Sequence, residues 1–209
     1  MAEEFDERFW DERYQSRESV WSGDPNLHLV TEAAGLAPGV ALDVGCGEGA
    51  DAIWLAERGW QVTAVDWSRV ALGRAEARAV AVDAGVAGRI RWLHADLTTW
   101  VPDQAYDLVS SHYTHLPPAQ RTTLFGRLAD AVAPGGTLLI VAHHPSDLHT
   151  SAARPNRPDL FWTAEEIAES LDATQWRVLV SDARERQVND PHGQLVTIAD
   201  AVLRAQRMG

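Results

Sequence analysis

The stretch from Val40 to Ser68 constrains this chain more than any other. A β-branched run, Val40 to Val44, leads directly into Gly45-Cys46-Gly47-Glu48-Gly49. An apolar helix from Ala50 to Arg58 and a second strand, Gln61 to Val65, follow. Strand, tight glycine turn, helix and strand make a βαβ unit, whose two strands must lie parallel and be covered by the crossover helix. The rhythm then repeats. Ser68 is placed as N-cap of a long Ala- and Arg-rich helix to about Ala84. Ile90 to His94 and Tyr106 to Ser110 read as third and fourth strands. A helix with proline in its first turn runs from about Pro118 to Val132. Ala133-Pro134-Gly135-Gly136 then turns into a fifth strand, Thr137 to Ala142. The alternation predicts an α/β, doubly wound parallel sheet with helices on both faces.

The ends read differently. Residues 1–36 read as one or two helices, with Phe5, Phe9, Trp10 and Tyr14 roughly on one face. His143 to Pro158 is polar, holds prolines and lacks periodicity, so a long loop is expected there. Thr163 and Glu166 have the spacing of a capping box for a helix to about Leu171. Trp176 to Gln187 and Leu195 to Gln206 read as two last strands joined by residues 189–193. With no repeat and no linker, one domain is expected over 1–209. It divides into a helical segment at 1–36, a ligand-binding core at 38–142, and a loop with the final strands at 143–209.

Composition narrows the partners. With 18 basic against 30 acidic residues the net charge is −12, which argues against nucleic acid, whose affinity comes largely from Lys and Arg. The arginines at 69, 74, 78, 89 and 91 are interleaved with apolar residues and read as solvated faces. No apolar run is long enough to span a bilayer, so no membrane partner is expected. The acidic start lacks a basic and an apolar signal region, and a cytoplasmic protein is the expectation. The single cysteine, Cys46, excludes an intramolecular disulfide and reads as a small residue in a tight turn rather than a nucleophile. A small-molecule partner is the simplest expectation, on a monomer or a homodimer.

The turn itself offers two ligand readings. Gly45, Gly47 and Ala50 fit the dinucleotide fingerprint G-x-G-x-x-G/A, which implies a nicotinamide-dependent oxidoreductase. Asp43 separates the readings. A pyrophosphate seated on the helix N-terminus would be repelled by a carboxylate ending the first strand, and by Glu48 in the turn. A ligand carrying an ammonium and a sulfonium would be drawn in by the same charges. Asp66, closing the second strand, stands where a carboxylate can accept hydrogen bonds from both hydroxyls of a ribose.

These residues resemble motif I of the class I S-adenosylmethionine-dependent methyltransferases. The resemblance covers roughly residues 38–142. It implies a seven-stranded sheet with strand seven antiparallel, and methyl transfer to a small molecule with S-adenosylhomocysteine as product. By resemblance, Asp43 organises the methionine end of the cofactor, Gly45, Cys46 and Gly47 give it backbone contacts, Asp66 takes the ribose and Trp67 packs on the adenine. His94-Ala95-Asp96-Leu97 is similar to the adenine-recognition turn, with Asp96 accepting from the exocyclic amine and the Leu97 N–H reaching a ring nitrogen. The strand ending Ser110-Ser111-His112 resembles the fourth-strand motif, with Ser111 at the cofactor. It lacks the Asn/Asp-Pro-Pro-Tyr type of motif and so points away from nucleobases and glutamine amides. Trp10, Tyr14 and Trp21 are similar to the opening of the thiopurine- and tellurite-type enzymes, where such an element folds over the cofactor. Trp10 and Tyr14 read better as the buried face of a helix, and Trp21 as the lid. A non-catalytic S-adenosylmethionine-binding protein is the other alternative.

Histidines supply the candidate bases. His112, His115 and His143 follow strands four and five at their carboxyl ends, where ligands bind in such sheets, and a neutral imidazole can take a proton from a hydroxyl or amine. His143, His144, Asp147 and His149 lie close in sequence, but their spacing matches no metal motif, and no metal is expected. His149 and His192 read as solvated.

Overall fold

The computed structural model describes residues 6–209; Phe5 lies outside them. Seven strands form one sheet in the order β3-β2-β1-β4-β5-β7-β6. They are β1 (Val40–Val44), β2 (Gln61–Asp66), β3 (Ile90–His94), β4 (Tyr106–His112), β5 (Val132–His143), β6 (Trp176–Asn189) and β7 (Leu195–Arg207). β1 pairs parallel with β2 and β4, β2 with β3, and β4 with β5, whereas β7 runs antiparallel to both β5 and β6. The doubly wound sheet with its antiparallel seventh strand is therefore observed.

The helices are α1 (Glu7–Gln15), α2 (Leu27–Ala33), α3 (Ala50–Glu57), α4 (Arg69–Val82), α5 (Ala84–Ala87), α6 (Pro118–Asp130) and α7 (Ala164–Ala168). Ser68 caps α4 by accepting from the Ala71 N–H, and the Thr163–Glu166 capping box on α7 is formed in both directions. Two boundaries differ from expectation. The helix after β2 stops at Val82 because Asp83 breaks out to an extended conformation and caps α5 instead. The expected turn at 133–136 is an irregularity within β5, whose pairing jumps from Tyr106↔Val132 to Leu108↔Thr137. The loop expected after residue 143 is ordered: Pro145–His149 forms a 3-10 turn. Buried Asp147 ties it down, accepting from the Ala199 N–H at 2.7 Å and the Arg154 Nε at 2.8 Å.

The pleat sorts residues between two apolar clusters. Leu42, Val44, Val109, Ile140, Ala142, Ala201 and Leu203 pack on one face. Ala41, Ala64, Leu108, Leu139, Val141 and Val202 pack on the other, under α2 and α3, with Leu29, Trp54 and Trp60. Because side chains alternate with period two, that second face continues toward the carboxyl ends of the strands as Asp43, Asp66, Ser110, His112, His143 and Asp200. Apolar residues thus give way to polar ones on a single face and at a single edge. That edge holds the site.

Candidate active site

A cavity of about 600 Å³ opens at this edge, lined among others by Gly45, Cys46, Gly47, Asp66, Trp67, Leu97, His112, His115 and His143. The floor is the turn after β1. Gly45, Gly47 and Gly49 all have positive φ, a region that costs L-residues energy. A Cβ on Gly49 would stand 2.7 Å from the Ala75 Cβ and from the Trp92 ring, so glycine lets α3 start close against α4. Asp66 is 7% exposed and accepts from the Gly47 N–H and the Ser68 N–H, each at 2.8 Å. These two bonds hold the carboxylate at the cavity wall. Burial nonetheless pushes its pKa upward.

Beneath the wall, Asp43, Asp51 and His112 bring one atom each within 4.8 Å of one another. His112 Nδ1 meets Asp51 Oδ2 at 2.7 Å, leaving a buried Nε2 without a hydrogen-bond partner. Asp43 is 2% exposed and its Oδ2 is unpartnered. Burial first, then Asp51 and Asp66, push it well above the ordinary carboxylate range. A buried carboxylate with an unpartnered oxygen, beside a second carboxylate, is complementary to an incoming cation.

On the β5–β7 side the chemistry changes sign. Asp200, fully buried, meets His28 Nε2 at 3.0 Å and Arg186 Nε at 2.5 Å. Burial alone would raise its pKa, but those partners hold it down to about 2. Tyr113, the one non-glycine residue with positive φ among the described residues, stacks on His143 at 4.6 Å. Burial and the neighbouring arginines lower His143 to about 3 and His115 to about 4, so both are neutral near pH 7.

The roof is the segment between α1 and α2. Trp21 is 46% exposed and donates through Nε1 to the Tyr14 hydroxyl at 3.0 Å. That hydroxyl sits over Gly47, where a Cβ would be 2.8 Å from it. Glu48 accepts from the Val20 and Trp21 N–H groups and pairs with Arg74 at 3.0 Å. Arg74 also donates to the Arg17 carbonyl, Arg78 to the Gly23 carbonyl, and Ser68 to Asp11. Arg74 and Arg78 are thus half-buried clamps on the roof, not solvated faces. Trp10 and Tyr14 both line the cavity, so their buried helix face and the site are the same surface.

Three candidates fall outside the cavity wall. Asp43 lies just behind it. Ser111 faces the opposite side of the sheet from Ser110 and His112, bonded to Thr114 at 2.6 Å, as the period-two pleat requires. Asp96 is exposed, and its Oδ1 holds the turn by accepting from the Thr98 N–H at 2.8 Å and hydroxyl at 2.6 Å. The His143–His149 group does not assemble: Asp147 faces Arg154, His144 caps its own turn and His149 is exposed. Sequence reasoning missed Arg154, Arg186, Asp200, His28 and Tyr113. They come together from α2, the end of β4, the ordered loop, β6 and β7, and no local motif marks them.

The family described as "Methyltransferase domain" matches residues 41–136, from the middle of β1 into β5. Residues 41–136 thus resemble a methyltransferase domain. An uncharacterized methyltransferase of Mycobacterium tuberculosis is 38% identical over 120 residues, 56% of this chain and 58% of that protein. The matched part thus spans under two thirds of that relative's length. The fold also recurs in solved structures. One, from work on the conversion of a disulfide bond into a thioacetal group during echinomycin biosynthesis, is 24% identical with a TM-score of 0.72, over 97% of this chain and 92% of that one. The N-methyltransferase NodS of Bradyrhizobium japonicum, in complex with S-adenosyl-L-homocysteine, is 18% identical with a TM-score of 0.71, over 96% and 97%. These likenesses show the same fold over nearly the whole chain. Among the described residues no helix is long and apolar enough to cross a membrane.

Proposed function

We propose that this chain binds S-adenosylmethionine and transfers its methyl group to a small molecule, as one domain over residues 1–209. The observation that carries the reading is the pairing of Asp66, held at the cavity wall by Gly47, with Asp51 on the same wall and Asp43, one oxygen unpartnered, behind it. Such a floor suits a ligand with a ribose at one end and an ammonium at the other, and disfavours a pyrophosphate. Asp66 would hold the ribose hydroxyls, Trp67 and Leu97 the adenine, and Asp43 with Asp51 the ammonium. Bound there, the cofactor supplies an electrophilic methyl group on a sulfonium.

The rest is positioning, which accounts for much of the rate of an in-line displacement. The roof of Tyr14 and Trp21 excludes water and offers π faces to a cation. Of the three histidines, His112 has the geometry of a base. Asp51 fixes its Nδ1, which leaves Nε2 to receive a proton from a hydroxyl or amine acceptor. His115 and His143, neutral and buried, shape the acceptor's side.

The test combines calorimetry with S-adenosylhomocysteine and with NADH, and a labelled-methyl assay on phenols, amines, thiols and carboxylic acids. S-adenosylhomocysteine should bind and NADH should not. Asp66→Ala should weaken that binding by about ten- to a hundredfold, the worth of a charge-assisted hydrogen bond. His112→Gln should lower kcat by about a hundredfold or more while leaving that affinity unchanged. Binding of NADH alone would overturn the reading, and tight binding without turnover on any acceptor would leave a cofactor-binding protein.

A further inference from the structure

The cavity is polarised. Its glycine-turn end is acidic, with Glu48, Asp51 and Asp66 on the wall, whereas its β5–β7 side presents the guanidinium groups of Arg154 and Arg186. The two arginines are not equivalent. Arg186 has both its Nε and an Nη on the buried Asp200, with Tyr113 beside it. Arg154 is held from behind: its Nε is on Asp147 at 2.8 Å, its Nη1 is on the Ala153 carbonyl, and its Nη2 is buried with no hydrogen-bond partner. Asp147 is itself fixed by the Ala199 N–H and wholly buried, so the guanidinium is aimed by the fold rather than by chance of rotamer. A guanidinium so placed, with one edge satisfied and the other short of an acceptor, is a ready partner for an anion.

Between the two ends runs a wall of rings. Trp10 lies 5.8 Å from His115, His115 lies 5.5 Å from His143, and His143 lies 4.6 Å from Tyr113. After burial itself, the positive field of Arg13 and Arg154 at His115, and of Arg154 at His143, keeps both imidazoles neutral. An imidazolium does not compete there for the anion's charge, and flat neutral rings offer a stacking surface.

We propose that the methyl acceptor is a planar small molecule bearing a carboxylate, which the cavity-lining Arg154 receives through its guanidinium while the ring wall holds its body. This rests on the cofactor reading above and names the substrate class of the same site. The carboxylate is the handle. The atom to be methylated then lies toward the acidic end, where the cofactor and His112 face the cavity.

The experiment uses the full chain saturated with S-adenosylhomocysteine, titrated calorimetrically with hydroxy-, amino- and mercaptobenzoates, each paired with its primary amide. The acids should bind about tenfold or more tighter than their amides, and Arg154→Gln should abolish most of that preference. Cofactor-product affinity should stay within about twofold, since Arg154 is not among the groups placed at the ribose or ammonium. Should Arg154→Gln fail to fold with Asp147 unpaired, the acid-over-amide preference of the unaltered chain decides by itself. Arg154→Lys, which keeps a charge beside Asp147 but loses the fork, should retain the fold and only part of the preference. Equal binding of acids and amides, absence of binding by both, or a preference that survives Arg154→Gln overturns the proposal. Failure of S-adenosylhomocysteine to bind at all removes the cofactor reading, and this one falls with it.

Discussion

Replacing Asp43 by asparagine should stabilise the empty protein and cripple ligand binding at once. The carboxylate is 2% exposed with one oxygen unpartnered, and its ligating atoms lie within 4.8 Å of those of Asp51. Two ionised carboxylates that close repel by about 3 kcal/mol at an effective dielectric of about 20. Burial and that repulsion push the Asp43 pKa well above the ordinary range. A folded-state pKa above the unfolded value of about 3.9 means the folded chain binds the proton more tightly. Stability therefore falls as pH rises from about 4 through the folded pKa. Asparagine carries no titrating charge and keeps an oxygen for the Ala52 N–H that now bonds the carboxylate. If about 1–2 kcal/mol of strain is relieved, the ligand-free Tm should rise by roughly 2–8 °C at pH 8, with a smaller gain at pH 5. Affinity for S-adenosylhomocysteine should fall about ten- to a hundredfold, because the ammonium loses a charged partner. Scanning fluorimetry across that pH range and calorimetry measure both. A variant that melts below the wild type at pH 8 would show that the carboxylate is net stabilising, and an unchanged affinity would show that it does not face the ligand.

Gly47→Ala places a Cβ in the left-handed region and 2.8 Å from the Tyr14 hydroxyl. It should cost about 1–2 kcal/mol of stability and displace the roof, seen as a lower Tm with altered Trp21 fluorescence. Glu48→Gln removes the charge that gathers Val20, Trp21 and Arg74. Tryptic cleavage at Arg13 and Arg17 should quicken by about tenfold, while the global Tm changes little. His115 and His143, held down to about 4 and about 3, have folded pKa values below the unfolded value of about 6.5. Stability should therefore be lost as pH falls from about 6.5 toward 4, and His143→Gln should flatten a urea-melt pH profile in that window.

The core was legible because its signals are local. Gly49 must be glycine where α3 meets α4, and Asp66 must close β2 where the turn begins, so both announce themselves within a short stretch. Two expected residues stand outside the cavity lining for geometric reasons. Ser111 alternates with Ser110 along β4, so the pleat sends it to the other face of the sheet, where it bonds Thr114. Asp96 sits at the right sequence position, but Thr98 supplies a nearer hydrogen-bond partner. Arg154 looked like part of a featureless loop because its orientation depends on Asp147, and that of Asp147 on the Ala199 N–H of β7. Arg74 and Arg78 looked like helix surface because their partners, the Arg17 and Gly23 carbonyls, lie more than fifty residues away in sequence.

The clamps on the roof also bear on speed. On the proposed function, the cofactor would lie beneath the segment carrying Trp21, which would be a door that must unlatch for each exchange of spent for fresh donor. Its latches are ion pairs and charge-assisted hydrogen bonds at the solvent edge, which added salt screens. Throughput limited by that door should rise with ionic strength while the chemical step, sealed inside, stays indifferent to it.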